Sequence, residues 1–416
     1  MSEMRNLLAI YGGEPVSKAQ FAPWPFFAED EVAVVGKVLQ SGKVNYWTGH
    51  FCRDFEEAFA RFVGVKHAIS LSNGTVALEL ALRAMGVGAG DEVIVPSRTF
   101  IASASCAVAV GAKPVVVDVD PISQNLTAET IRPAISPRTK AIVAVHLAGW
   151  PCDMDSIMAL AQEHDLKVIE DCAQAHGAEY KGRPVGSMGD CGAFSFCQDK
   201  IMTTGGEGGM LVTNNEALWR NAWEYKDHGK SWDAIYRREH PQGFRWLHDS
   251  FGSNGRMTEM QAAIGLLQLE KLPLWRSSRQ KNAAFLISKL ENVPGVRVPR
   301  FPSDVAHACY KFYVFLRPEL LADGWDQGAI LDAINAEGVP CLAGSCSEIY
   351  REQAFAAHGW QPESRLPVAK ALGETSLMFM IHPTLTFQDV QNTADAIAKV
   401  MAVATTQART SEIMAG

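Results

Sequence analysis

Between His67 and Asn214 the chain repeats one theme: short apolar runs alternate with stretches of helical periodicity. The runs are Ala68–Leu71, Val93–Val95, Pro114–Val117, Ala141–Val145, Val168–Ile169, Ala193–Phe196 and Met210–Val212. Most are continuously apolar rather than alternating, the pattern of strands covered on both faces. They predict an α/β fold with a mostly parallel sheet between helix layers. In such sheets ligands bind beyond the carboxyl ends of the strands.

The flanks read differently. Met1 to Phe51 is rich in Pro, Gly and aromatics, with Gly12-Gly13-Glu14-Pro15 and Pro23-Trp24-Pro25-Phe26-Phe27, and reads as an arm lying on a larger body. Within it a helix is expected from about Glu29 to Gln40, its first-turn acids favoured by the helix dipole. Thr258-Glu259-Met260-Gln261 is a capping box that opens a helix expected to run to about Leu272. A strand at Lys311 to Leu316 and helices near Gln327 to Ala336 and Phe387 to Val403 follow, the last behind Thr386 as N-cap. The expected organisation is an arm plus large domain over residues 1–272, a smaller α/β domain over 273–404, and a frayed polar tail over 405–416.

Composition narrows the partners. With 416 residues and a formal net charge of -8, the chain has room for two domains and no broad basic surface, which argues against nucleic acid and anionic membrane. The nine cysteines are scattered without a CxxC pair, so neither a disulfide framework nor a metal site is expected. No apolar run reaches membrane-spanning length and the start shows no cleavage pattern. The expected location is the cytoplasm.

Candidate chemistry collects at strand ends. Lys200 follows Phe194-Ser195-Phe196 and precedes the glycine turn Gly205-Gly206-Glu207-Gly208-Gly209, where backbone approaches a ligand closely. Most lysines are solvated surface groups, but a desolvated strand-end lysine becomes nucleophilic. Asp171 ends another run. It is either a helix cap or a carboxylate for a protonated pyridine nitrogen, with Gln174 placed to reach a ring hydroxyl. Ser72-Asn73-Gly74-Thr75 opens a helix. It is either a plain cap or, through the Gly74 and Thr75 N–H groups, an anion site to which Ser195 adds a hydroxyl. Phe100 is either core or a ring stacked on a cofactor. Asn254 and Arg256 are loop polar residues of ordinary type. An amine, a hydroxyl and a carboxylate at neighbouring strand ends suit an aldehyde cofactor bearing a phosphate and a pyridine nitrogen. Lys200 is therefore read as carrying pyridoxal 5'-phosphate (PLP) as a Schiff base. His176 reads as structural, Cys346 as an inert thiol, and Trp24, Trp47 and Trp150 as cleft-lining or packing residues.

Taken together, several segments resemble the DegT/DnrJ/EryC1/StrS family of PLP-dependent sugar aminotransferases. They are Ser72-Asn73-Gly74-Thr75, Pro96-Ser97-Arg98-Thr99-Phe100, Ile169-Glu170-Asp171 with Gln174, Phe194-Ser195-Phe196 with Lys200, Gly206-Glu207-Gly208-Gly209, and Asn254 with Arg256-Met257. The likeness extends from about Val44 to Val403. It implies the PLP-dependent transferase fold of type I: a large domain with a seven-stranded mixed sheet, a small C-terminal domain, and a homodimer with shared active sites. It implies Lys200 as the catalytic Schiff-base lysine, Asp171 at the pyridine nitrogen, Gln174 at the ring hydroxyl and Phe100 stacked on the ring. Gly74, Thr75 and Ser195 would hold the phosphate, and Asn254 would reach the phosphate of the neighbouring subunit's cofactor.

The expected reaction moves an amino group from L-glutamate or L-glutamine to a keto-sugar, with a nucleotide-linked 3- or 4-keto sugar as first choice. Three alternatives stand beside it. The arm with Gly12-Gly13-Glu14-Pro15 resembles members acting on cyclitols and aminohydroxybenzoate precursors, which leaves a keto-cyclitol (inosose-type) aminotransferase or an aminohydroxybenzoate synthase-like enzyme. A PLP-dependent sugar dehydratase is the second, although such members replace the lysine by histidine. A non-catalytic regulatory homologue is the third.

Overall fold

All seven apolar runs are strands of one sheet in the computed structural model, which describes residues 7–406. The strands are β1 (His67–Leu71), β2 (Glu92–Pro96), β3 (Lys113–Val117), β4 (Thr139–Val145), β5 (Lys167–Asp171), β6 (Cys191–Ser195) and β7 (Gly209–Thr213). Their spatial order is β1-β7-β6-β5-β4-β2-β3. The pairs β3–β2, β2–β4, β4–β5 and β5–β6 are parallel, whereas β7 runs antiparallel to both β6 and β1. The expected mostly parallel α/β sheet is thus present.

The continuous apolar runs have a direct physical cause. Alternate residues of β4 enter two different cores: Ala141, Val143 and Val145 pack on one face with Ile69, Val93 and Ile169, while Ile142 and Ala144 pack on the other with Ile94 and Val168. With side chains alternating every residue and both faces dry, no position from Ala141 to Val145 is left for a polar group.

The helices that matter to the site are α1 (Glu29–Ser41), α2 (Phe51–Val63), α3 (Gly74–Ala84), α4 (Ala102–Ala109), α5 (Met154–Glu163), α6 (Glu216–Tyr225) and α7 (Glu259–Leu290). The Thr258–Gln261 capping box opens α7 as expected. The helix does not stop near Leu272 but continues through Pro273 to Leu290. A proline removes one helical hydrogen bond at a cost of about 3 kcal/mol. Packing on both sides of it offsets this: Leu272 lies in the core under α2, and Ala283, Leu286 and Leu290 lie in a separate core further on.

That separate core covers a three-stranded antiparallel sheet of β8 (Val296–Arg297), β9 (Lys311–Leu316) and β10 (Ser376–Met380), with α8 (Gln327–Ala336) and α9 (Phe387–Ala404) against it. We propose that the chain divides into a large and a small unit with α7 as their common spine; the expected boundary at 272/273 falls inside that helix. The arm is stitched to the small unit. Leu8 is buried in its core, and the buried Glu337 accepts from Ala9 N and Val16 N and pairs with Lys399. Of the expected tail, Thr405 donates its N–H to Met401 O (3.1 Å) and Thr406 its N–H to Leu320 O (3.1 Å), and residues 407–416 lie outside the described residues, as do residues 1–6. Among the described residues no helix is long and apolar enough to cross a membrane.

Candidate active site

The carboxyl ends of β1, β2, β5 and β6 lie along one edge of the sheet, and all the sequence-predicted residues but Asn254 follow them. Asn73 caps α3 by accepting from Val76 N (2.9 Å), which aims the first turn of that helix at the sheet edge. The first N–H groups of a helix have no intrahelical acceptor. Gly74 brings this turn against β6: a Cβ built on it would lie 2.6 Å from the Ser195 Cβ and 3.2 Å from its Oγ. Gly209 on β7 comes equally close to the Asn73 carbonyl. Backbone N–H groups of Gly74 and Thr75 and the Ser195 hydroxyl therefore form one cradle, which a side chain at residue 74 would fill. This is the shape and polarity of a phosphate site.

Asp171, at the end of β5, is buried. Its Oδ2 accepts from Ser103 Oγ (2.9 Å) and its Oδ1 from Ala173 N (3.1 Å). Because the single Ser103 proton goes to Asp171, Thr99 Oγ1 donates to Ser103 Oγ (2.8 Å). Burial pushes the Asp171 carboxyl above its ordinary value; the bonds from Ala173 and Ser103 and the nearby Lys200 charge counter this only in part. A carboxylate so placed wants a cationic partner, and a protonated pyridine nitrogen is one. Gln174 Oε1 accepts from Ala148 N (2.9 Å), which leaves its amide NH2 to donate to a ring hydroxyl. The donor set thus fits PLP.

Lys200 lies in the turn after β6. Its main chain is pinned twice, by its N–H to Cys197 O (3.1 Å) and by the Trp24 indole N–H to its carbonyl (2.8 Å). Its side chain is 18% exposed and donates to Asp199 Oδ1 (3.2 Å). Phe100 is 68% exposed, so it is not a core aromatic. Asn254 stands apart. It is exposed, its Oδ1 accepts from Arg256 N within its own loop (3.5 Å), and its backbone bridges to Asp227.

The other residues singled out by sequence fall out plainly. His176 is buried between Phe194 and Phe196, and burial depresses its imidazole to about 3. Trp24 touches the Lys200 turn, Trp47 donates to Asp227 Oδ2 (2.6 Å), and Trp150 packs on Phe301 and His307. All nine cysteines are free, with Cys346 exposed.

Beneath the site, His146, Glu170 and Cys172 form a buried group of potential metal ligands. Its oxygens are already engaged. Glu170 accepts from Gly186 N (2.8 Å), Met188 N (2.7 Å), Gly189 N (2.7 Å) and His146 Nε2 (3.0 Å). Since Cys152 N donates to His146 Nδ1 (3.0 Å), the His146 proton sits on Nε2. Sequence reasoning missed this pair, and also Ser103, Asp199 and Tyr310. Asp199 adjoins Lys200 and was readable there. Ser103 was readable only as a polar residue in the alanine-rich α4, and nothing local marks Tyr310.

A strand-end lysine, a buried carboxylate and an anion cradle on a mostly parallel sheet define a PLP-dependent enzyme. Comparison with known proteins narrows the class. Residues 25–398 match the model of the DegT/DnrJ/EryC1/StrS aminotransferase family, and the chain belongs to that family. It is 37% identical over 390 residues to a UDP-N-acetyl-3-dehydro-alpha-D-glucosamine 3-aminotransferase of Acidithiobacillus ferrooxidans (92% of this chain, 96% of the relative). It is 40% identical over 355 residues to GDP-perosamine synthase of Caulobacter vibrioides (85% and 91%). Among solved structures, an aminotransferase from Psychrobacter cryohalolentis matches with a TM-score of 0.91 and 55% identity over 92% of this chain and 99% of that one. The protein is a sugar aminotransferase, and its cofactor is PLP.

Proposed function

We propose that the protein transfers the amino group of L-glutamate or L-glutamine to a nucleotide-linked 3- or 4-keto sugar, in the cytoplasm, at a site shared between two copies of the chain. The observation that carries this reading is the buried Asp171 at the same end of the sheet as Lys200 and the Gly74–Ser195 cradle. When bound, PLP supplies an electron-withdrawing ring that spreads the negative charge left on the substrate carbon after its proton is removed. Asp171 keeps the pyridine nitrogen protonated, Gln174 donates to the ring hydroxyl, and Phe100 covers one ring face. Gly74, Thr75 and Ser195 hold the phosphate. Lys200 would link the cofactor, and its freed, neutral Nζ would move a proton between substrate carbon and cofactor within each half-reaction.

Both curated relatives described above are named for nucleotide-linked sugars, one UDP-linked and one GDP-linked, which supports that acceptor class. The shared site is supported by the loop that ends at Asn254. It carries exposed Phe244, Trp246 and Phe251, an apolar surface of the kind that marks an interface. The test is a panel of nucleotide-linked 3-keto and 4-keto sugars and keto-cyclitols added to enzyme pre-aminated with L-glutamate. Loss of the aminated cofactor's absorbance with a nucleotide-linked keto-sugar is expected; turnover with keto-cyclitols alone would reassign the acceptor.

A further inference from the structure

The residue before Lys200 is an aspartate, and its two oxygens are divided between two donors. Asp199 Oδ1 accepts from Lys200 Nζ (3.2 Å), and Asp199 Oδ2 accepts from the Tyr310 hydroxyl. Tyr310 is itself buried and fixed. Its N–H donates to Ala148 O (3.0 Å), its carbonyl accepts from Arg279 Nη1 (3.2 Å), and its ring lies 5.4 Å from Lys200 Nζ. Ala148 also gives its N–H to Gln174, so one residue ties the lysine clamp to the ring-hydroxyl side of the site. Ala148 does this in the left-handed region, at φ 57°.

We propose that Asp199, held by Tyr310, is a positioning residue for Lys200: its carboxylate accepts a hydrogen bond from Nζ whenever that amine is released from the cofactor, and pairs with its charge whenever Nζ has taken up a proton. This rests on the reading of Lys200 given above. With the Lys200 main chain pinned by Cys197 and Trp24, only the side chain moves, between the cofactor and a fixed anion one residue away. No bond is made or broken in this step beyond the ion pair. Nζ is released neutral, takes a proton from carbon and returns it to carbon within the same half-reaction, and Asp199 itself takes up no proton. Burial alone would push the Asp199 carboxyl up, yet the Lys200 charge and the Tyr310 and Lys200 hydrogen bonds outweigh it and hold the carboxyl below its ordinary value. The anion is thus present across the working range. It orients Nζ during the wait between half-reactions, when an unheld lysine loses geometry and transfer slows.

The test uses the full chain freed of cofactor. Reductive methylation with formaldehyde and cyanoborohydride modifies neutral amines, and peptide mass spectrometry reads each lysine separately. Asp199→Asn is expected to raise the methylation rate of Lys200 roughly three- to ten-fold at neutral pH, because the favourable contact to the ammonium is lost while burial remains. Tyr310→Phe is expected to raise it by a smaller factor, and both variants should leave the other lysines unchanged. In the loaded enzyme both should lower kcat for each half-reaction with little change in donor KM. Unchanged Lys200 labelling in both variants overturns the proposal; if Asp199→Asn does not fold, Tyr310→Phe alone decides it. Borohydride reduction of loaded wild type, followed by peptide mapping, tests the reading beneath. Failure to find the cofactor on residue 200 overturns both, whereas unchanged labelling sinks only the role of Asp199.

Discussion

Gly74 and Ser195 stand so close that the methyl group of an alanine at residue 74 would overlap the serine side chain, at 2.6 Å between Cβ atoms. The contact joins the start of α3 to the end of β6, and the proposed phosphate site lies where the two meet. Gly74→Ala is expected to push the helix turn away from Ser195 and weaken PLP binding by about tenfold, or about 1.4 kcal/mol. Titration of the cofactor-free protein with PLP, followed by absorbance, measures this. Unchanged affinity would remove Gly74 from the cradle.

Asp171 carries an opposite pair of effects. Its carboxyl is raised by burial in the cofactor-free protein, so the folded state holds a proton more tightly than the unfolded chain does. For an acid with a raised folded value the charged form costs stability. That cost is absent below the unfolded value near 3.8 and grows as pH rises toward and through the raised one. Asp171→Asn, nearly the same shape, is therefore expected to stabilise the cofactor-free protein at pH 7 by on the order of 1 kcal/mol, with the gain vanishing near the unfolded value. The same change removes the charge that pairs with the pyridine nitrogen and is expected to lower kcat by about two orders of magnitude. Thermal melts across pH, with steady-state rates beside them, separate the two. A destabilised variant at pH 7 would contradict the burial argument.

Much of this was legible in the sequence because the signals are local. A strand covered on both faces must be apolar throughout, so β4 announces itself through Ala141 to Val145, and the alternation of its residues between two cores is the reason. The capping box at Thr258 and Gln261 is likewise a pattern of four neighbours. Local reading failed where distant packing decided the outcome. Pro273 looks like a stop, and only the burial of Leu272 on one side and of Leu286 on the other carries α7 past it. Tyr310 lies 111 positions from its partner Asp199, so no spacing rule links them. Ser103 reaches Asp171, and Thr99 reaches Ser103, because the start of α4 folds over the end of β5, which the chain order does not reveal.

Glu170 supports the floor of the site. Burial alone would raise its carboxyl, but the His146 hydrogen bond and charge and the Gly186 and Gly189 N–H bonds hold it below the ordinary 4.5. A depressed folded value means that the stabilisation is fully present above the unfolded value and is lost as pH falls through the lower folded one. Glu170→Ala leaves four donors without their acceptor in a dry interior and is expected to cost about 3–5 kcal/mol. Urea unfolding midpoints across pH 3 to 7 check this. The wild-type midpoint should fall on acidification, and the variant's midpoint should be lower and flatter. Equal midpoints at pH 7 would show that the cluster contributes nothing net.

The proposed sharing of sites can be tested by mixing two dead enzymes. Lys200→Ala is expected to abolish turnover while leaving the fold intact, since the side-chain hydrogen bond it removes goes to Asp199 in the same turn. Asn254→Ala should also be inactive or nearly so if its side chain holds the phosphate of the other copy's cofactor; within its own chain it bonds only its neighbour Arg256. In a two-fold dimer whose sites each take Lys200 from one copy and Asn254 from the other, a mixed dimer has one site carrying both defects and one carrying neither. Random exchange of the two variants makes half the dimers mixed, with one good site in two, so about a quarter of wild-type activity is expected to return. If both residues serve the same copy's site, every site in the mixture keeps one defect and no activity returns. The exchange itself is followed by native mass spectrometry, so a silent mixture in which mixed dimers are seen would exclude the shared site.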